Sequence, residues 1–340
     1  MSSSAAAVAL FDMIQSHRIT AVIYVAAKLG IADRLASGPK SLDDLVEATG
    51  ANRAALARLL TALLTIGICK PEEAEQYSLT ETGAALANDA QPSCKAWAIF
   101  EGEMLSKSWN GLQETIMSGK TAAQLQGFDN SFDLMARVPE NVGIFNAAMT
   151  SLTRLVTTEV LDVYDFSPIS HLLDVGGGSG ELIGAVLRRY PHLRGGVFDL
   201  ARCSEAANSH LAQLGLADRA TFLTGDFFAS IPAIADAIVL KSVIHDWNDQ
   251  RSCLILRNCR QALPQNGKLL LVERIMPAAP VVDELHRSHA LSDLNMLRGP
   301  GGSERTEAQY RNLLGRTGFT VTSVTVAGRF AVIEAHPAIR

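Results

Sequence analysis

A chain of 340 residues with 48% apolar side chains is long enough for about two packed domains and too apolar to remain disordered. A formal net charge of −5 withholds the basic stripe that nucleic acid needs, and no apolar run reaches membrane-spanning length, so neither is expected as a partner. Ala5–Phe11 lacks a basic flank and runs into Asp12, unlike a secretory leader. The five cysteines (Cys69, Cys94, Cys203, Cys253, Cys259) form no C-x-x-C pair, so free thiols and a cytoplasmic location are expected.

Residues 5–36 have helical periodicity, with Val22, Tyr24, Val25, Ala26, Leu29 and Ile31 on the apolar side. Ser41 caps a helix over Leu42 to Ala48 that stops at Gly50, and Asn52 caps a second one, whose leucine stripe ends at Gly67. Ile68-Cys69-Lys70, an acidic turn at Pro71-Glu72-Glu73 and Gln76-Tyr77-Ser78-Leu79 then form a hairpin, completing a winged-helix pattern. Such a pattern can bind DNA, but its acids outnumber its bases and the second helix offers only Arg53 and Arg58. A dimer interface is the expected use.

Residues 93–165 carry several helices with aromatic and methionine side chains. Phe100, Met104, Leu105, Trp109, Met135, Phe145 and Met149 divide between core and the wall of an apolar pocket, with Asp246 and Met296 also expected to face its ligand.

From 171 onward strands and helices alternate, which predicts a doubly wound parallel sheet. The strands are expected at 171–176, 195–200, 220–225, 236–243, 267–274, 319–327 and 330–336, the last two as an antiparallel hairpin at one edge. His171-Leu172-Leu173-Asp174-Val175-Gly176-Gly177-Gly178-Ser179-Gly180-Glu181 runs from a buried strand through a glycine turn into a helix ending at Arg188 and Arg189. A dinucleotide fingerprint needs a third glycine where Glu181 stands. G-x-G-x-G after Asp174 suits S-adenosylmethionine better, with Asp174, Gly176 and Gly178 at its amino-acid end. Asp199, closing the next strand, is placed for ribose hydroxyls, as it also would be in a dinucleotide enzyme.

After the third strand, Asp226 can accept from an adenine amine and Phe227 can cover its face. The fourth strand ends Leu240-Lys241-Ser242-Val243-Ile244-His245-Asp246-Trp247, which puts His245 where an α/β sheet binds its ligands. Glu273 and Glu304 are further acids at that face. Asp283, Glu284, His286 and His289 have the chemistry of metal ligands, but their segment reads as an exposed, solvated helix, and no metal is expected.

Taken together, the winged-helix start, Asp174–Gly180, Phe198-Asp199-Leu200, Gly225-Asp226-Phe227, His245-Asp246-Trp247, Leu263-Pro264 to Gly267-Lys268 and Gly301-Gly302-Ser303-Glu304-Arg305-Thr306 resemble one family in order. It is the S-adenosylmethionine-dependent O-methyltransferases of the plant caffeic-acid and bacterial secondary-metabolite type, and the likeness spans nearly the whole chain. The resemblance implies an α/β protein: a Rossmann-like doubly wound methyltransferase domain over 166–340, an N-terminal, mainly α winged-helix dimerisation domain over 1–92, and linking helices over 93–165 that form part of the substrate pocket. It implies a homodimer, S-adenosylmethionine as donor with S-adenosylhomocysteine as product, and cofactor contacts at Gly176, Asp199, Asp226, Phe227 and Lys241, to which Leu200, Ser242 and Trp247 are added as expectations. It further implies His245 as general base positioned by Glu273 and Glu304, acting on a hydroxyl of a planar aromatic metabolite such as a phenol, hydroxyphenazine or polyketide.

The chain departs from the family where a methionine is common at Phe227, and in a longer stretch between Asp199 and Asp226. Residues 95–150 resemble bacterial members more. Some relatives lack the histidine and methylate nitrogen; His245 favours oxygen here. The rival readings are an N- or C-methyltransferase of the same fold, a nicotinamide dehydrogenase, and a winged-helix regulator that senses a metabolite.

Overall fold

The computed structural model describes residues 3–135 and 137–339, which pack as two compact units. One comprises Met1–Asn110 with Glu140–Leu152, the other Gly111–Pro139 with Thr153–Arg340.

In the first unit the helical periodicity of the opening residues resolves into three helices, Ser3–Gln15, His17–Lys28 and Ile31–Leu35, with Gly30 in the left-handed region between the last two. Ser41 caps Leu42–Thr49 through a reciprocal capping box with Asp44, and Gly50 ends that helix at φ +68°. The Asn52 side chain accepts from Ala55 N at 3.1 Å and starts Arg53–Thr65, which buries Leu56, Leu60 and Leu63 against Ile31, Leu35 and Leu45. Three strands follow the chain here: β1 (Lys40–Ser41), β2 (Cys69–Glu72) and β3 (Gln76–Leu79), in the order β1-β3-β2.

Two details correct the sequence expectations. β1 is too short to carry a periodicity, and Ser41 both pairs with β3 and caps the helix that follows. Pro71 and Glu72 lie within β2, and the turn comes later, at Ala74 and Glu75, both with positive φ.

The second unit is built on a seven-stranded sheet: β4 (His171–Val175), β5 (Arg194–Asp199), β6 (Ala220–Thr224), β7 (Ala237–Lys241), β8 (Lys268–Glu273), β11 (Phe319–Ala327) and β12 (Phe330–Pro337). Its order is β11-β12-β8-β7-β4-β5-β6, parallel except for the antiparallel pairs made by β12. The run Leu172, Leu173, Val175 is fully buried, as a strand covered on both faces must be. Strand order reverses at β4, which pairs with β5 on one side and β7 on the other. The loops leaving β4 and β7 therefore diverge and open a crevice at their carboxyl ends. A separate short ladder, β9 (Ile275–Met276) parallel to β10 (Arg305–Thr306), ties the segment after β8 to the one after Glu304. Among the described residues no helix is long and apolar enough to cross a membrane, and the five cysteines are free.

Candidate active site

The turn after β4 uses three glycines in the left-handed region: Gly176, Gly178 and Gly180, at φ +75°, +56° and +77°. A side chain at Gly176 would meet Val243 Cγ2 at 2.8 Å, whereas one at Gly178 would enter open space. Gly178 is thus chosen for its conformation and not for crowding. The turn delivers the N-terminus of helix Glu181–Arg189 to the crevice. Beneath it Asp174 is buried, and its Oδ2 has no hydrogen-bond partner. Burial raises this carboxyl to about 7; neighbouring Asp199 adds to the shift and Lys241 opposes it.

Asp199 closes β5 and accepts from Gly178 N at 2.9 Å and from Leu200 N at 2.6 Å, so one carboxylate braces the glycine turn. Asp226 is exposed and accepts from Phe228 N at 2.8 Å. Phe227 and Phe228 meet edge to face at 4.8 Å, and Trp247 stands 6.2 Å from the former and 4.8 Å from the latter. Lys241 ends β7 with its ammonium 3.3 Å from Ser242 Oγ, and Ser242 takes a left-handed φ of +53°, a conformation that costs a non-glycine residue about 1–3 kcal/mol. That kink turns the chain sharply into Ile244–Asp246, the single helical turn that carries His245.

His245 is 6% exposed and ringed by acids. Its Nδ1 lies 3.2 Å from Glu304 Oε1 and 3.7 Å from Glu273 Oε2, and its Nε2 lies 3.6 Å from Asp246 Oδ1. Burial disfavours the imidazolium, but Glu273, Glu304 and Asp246 outweigh it and raise the pKa to about 9. Burial likewise lifts Asp246 to about 6 and moves Glu273 upward. Glu304 is also penalised by burial, yet its contact with His245 leaves it below the usual range. Glu273 Oε1 accepts from Val243 N at 3.1 Å and Ile244 N at 2.8 Å, so this acid grips the backbone that presents the histidine. Glu304 Oε1 also accepts from Ser292 Oγ at 2.7 Å, and Asp293 holds Glu304 N at 2.8 Å. One side-chain atom each of His245, Glu273 and Glu304 lies within 4.8 Å of the other two.

Several further residues surround this triad. Arg305 is buried and binds Asp249 (2.9 and 3.0 Å), the carbonyls of Ile244 (3.1 Å) and Trp247 (2.8 Å) and, more loosely, those of Ser303 and Ser252 Oγ. Asn258 donates to the carbonyls of Phe227 and Phe228 at 2.8 and 3.1 Å. Arg154 forks onto Glu181 at 2.7 and 3.0 Å, so the residue that breaks the dinucleotide spacing anchors the start of its helix. Only Arg305 had a signal in sequence, its place directly after Glu304.

The side chains expected to line a pocket are divided between the two units. In the first, Phe100 is buried and packs edge-on against Trp97 and Phe145 at 5.6 and 5.8 Å, while Met104 and Leu105 are half-buried on a π-helical turn, Glu101–Leu105. Trp109 and Met149 are also half-buried there. In the second, Met296 is buried and Met135 and Asp246 are half-buried.

The segment read as an exposed acid and histidine cluster needs correction. Asp283 caps helix Glu284–Arg298 and pairs with His286 at 2.5 Å, but His289 is buried, its two ring nitrogens 3.1 and 3.0 Å from the carbonyls of Ile275 and Arg329. Packing of that helix against β9 turns its inner face away from solvent.

Fold, glycine turn and buried acid–histidine group together define the class: an α/β protein with a glycine-lined crevice at the switch of a doubly wound sheet. A family model described as an O-methyltransferase domain matches residues 109–320, and one described as an O-methyltransferase dimerisation domain matches residues 11–89; the chain belongs to the O-methyltransferase family. It is 37% identical to a phenazine O-methyltransferase, PhzM, of Lysobacter antibioticus, over 96% of this chain and 95% of that one. The crystal structure of LaPhzM superposes with a TM-score of 0.90 at 36% identity, covering 97% of this chain and 99% of the other. That of NcsB1, an O-methyltransferase from neocarzinostatin biosynthesis bound to S-adenosylmethionine and 2-hydroxy-5-methyl naphthoic acid, superposes at 0.74 with 28% identity over 94% and 96% of the two chains. S-Adenosylmethionine is the methyl donor of the family.

Proposed function

We propose that this O-methyltransferase methylates a hydroxyl of a flat, multi-ring aromatic metabolite, with His245 as general base. The observation that carries the reading is the buried histidine at the carboxyl end of β7, with Nδ1 aimed at Glu304 and Glu273. A phenazine and a naphthoate among the relatives' names support the acceptor class.

The residues of the crevice fit the donor. Asp174 presents a buried, unpaired carboxylate oxygen suited to an ammonium, and Gly178 leaves open space beside it. Asp174, Gly176 and Gly178 would hold the amino-acid end with Lys241 and Ser242, Asp199 and Leu200 the ribose, and Asp226, Phe227 and Trp247 the adenine. Bound there, S-adenosylmethionine supplies an electrophilic methyl group on a sulfonium.

The chain's own task is to place a nucleophile and take its proton. A phenol with a pKa near about 10 is a weak nucleophile until deprotonated. Facing two carboxylates, Nδ1 keeps its proton, so Nε2 is the nitrogen that accepts one. Glu304 orients the ring and stabilises its charged form, and Glu273 fixes the turn that carries it. Such a base contributes roughly a hundred- to ten-thousand-fold to the rate.

The test is mass spectrometry of a mixed pool of phenols, naphthoates and hydroxyphenazines after incubation with donor, for wild type and H245A. A methoxy product lost in H245A, with donor affinity unchanged by calorimetry, is expected. A methylated amine would move the acceptor to nitrogen, and near-normal turnover by H245A would remove the base assignment. Self-association through residues 11–89 belongs to the same proposal.

A further inference from the structure

His245 is surrounded by more negative charge than one proton balances. Glu273 approaches it from the end of β8, Glu304 from the loop before β10, and Asp246 from its own turn. Two cations face this group. Lys241, from the end of β7, acts on Glu273, Asp246 and Asp174. Arg274, the residue after β8, reaches Glu304 Oε1 with Nη1 at 3.7 Å. Asp293 and Tyr310 flank the glutamates from the helices Glu284–Arg298 and Glu307–Gly315, and Arg329 faces Arg274.

We propose that Arg274 is a positioning residue that sets the proton affinity of His245 by sharing Glu304 with it. The geometry is specific: the same oxygen, Glu304 Oε1, is the partner of His245 Nδ1, Ser292 Oγ and Arg274 Nη1. Arg274 is mostly buried, and its guanidinium lies over the ring of Phe330 at 4.4 Å, a contact that favours its position beside Glu304. A fixed cation beside Glu304 draws part of that carboxylate's field away from the imidazole. In a buried site the effect is large, because little water screens it. Arg274 therefore lowers the proton affinity of His245, which would stand higher still without it, and brings the pH at which Nε2 is free closer to neutral. The inference rests on the base reading of His245 only for its catalytic consequence.

The experiment follows the imidazole of His245 by its ring carbon NMR signal, assigned by loss in H245Q, through a pH titration of the protein without acceptor. In R274M the midpoint rises by about one pH unit relative to wild type, and in R274K, which restores the charge, it returns to within a few tenths of a unit. R274Q serves in the same way if R274M does not fold, with thermal melting as the check. An unmoved midpoint in the neutral variants, or an equal rise in R274K, overturns the proposal. The pH profile of kcat/KM is recorded on the same variants. A shifted NMR midpoint with an unshifted rate profile supports the role of Arg274 and overturns the base reading alone.

Discussion

At the scale of residues, two titrations distinguish the proposed roles. His245, raised to about 9 in the protein, is charged at neutral pH, and only its neutral form can take a proton. Below that value kcat/KM is therefore expected to rise about tenfold per pH unit and to level off above it. A stopped-flow or discontinuous assay from pH 6 to 10 reads this, and a flat profile contradicts it. Asp174 titrates in the opposite functional sense. Its carboxyl, lifted to about 7, must be ionised to pair with an ammonium, so donor affinity should strengthen as pH rises through 7. Calorimetry across pH 5.5 to 8.5 should show that trend in wild type, and D174N should bind at least tenfold more weakly with no step near 7.

The Asp174 shift comes from burial and the His245 shift from three acids that outweigh burial, and composition reports neither. A histidine before Asp-Trp was legible as a candidate from its strand-end position, and the two acids from their places along the chain. That Glu304 takes the hydrogen bond while Glu273 grips the Val243 and Ile244 amides required the coordinates.

At the scale of elements, the turn Ile244–Asp246 has no regular partner of its own and is held by its neighbours. Ser303 N donates to His245 O at 2.9 Å, and a side chain at Gly302 would stand 1.9 Å from that same oxygen and 2.4 Å from the carbonyl carbon of Asp246. G302A must push the two segments apart. It is expected to cut transfer by a hundredfold or more while donor affinity changes little, and calorimetry beside a rate assay checks the split. Arg305 secures the other side of the turn by capturing the Ile244 and Trp247 carbonyls and Asp249 together. Replacing this buried fork with methionine leaves those acceptors unpaired and should destabilise the protein by about 3–5 kcal/mol in urea unfolding. A loss under 1 kcal/mol would show that the network is incidental.

The elements themselves were largely readable. All seven strands of the large sheet were expected close to where they stand, because most are short apolar runs closed by glycine or an acid. β1, β9 and β10 were not, because two-residue strands carry no period and exist only through a partner distant in the chain.

At the scale of the whole molecule, the dimerisation domain match begins at Phe11, within the helix Ser3–Gln15. Val8, Leu10, Phe11, Met13 and Ile14 on that helix are each more than half exposed in one chain. So much exposed apolar surface is the kind that a second subunit covers. Sedimentation equilibrium is expected to give twice the 36.4 kDa of one chain, and F11D with I14D to shift the population toward monomer. A monomeric wild type would remove the homodimer from the proposal. The linking stretch 93–165 contributes to both compact units, the helix Pro139–Val163 passing from one to the other. No local periodicity marks that change of company.

The class of sheet, the glycine turn and its acid, the capped helices of the N-terminal module, and His245, Glu273 and Glu304 as candidates were legible in the residues alone. These depend on short-range rules: strand alternation, caps, left-handed glycines and the spacing of strand ends. Only the tertiary structure decided which acid touches which nitrogen, that His289 is buried, and that Arg274, Arg305 and Asn258 surround the site. Those facts depend on low-dielectric contacts between β8, the loop before β10 and the helices beside them. A chain brings such segments together only by folding.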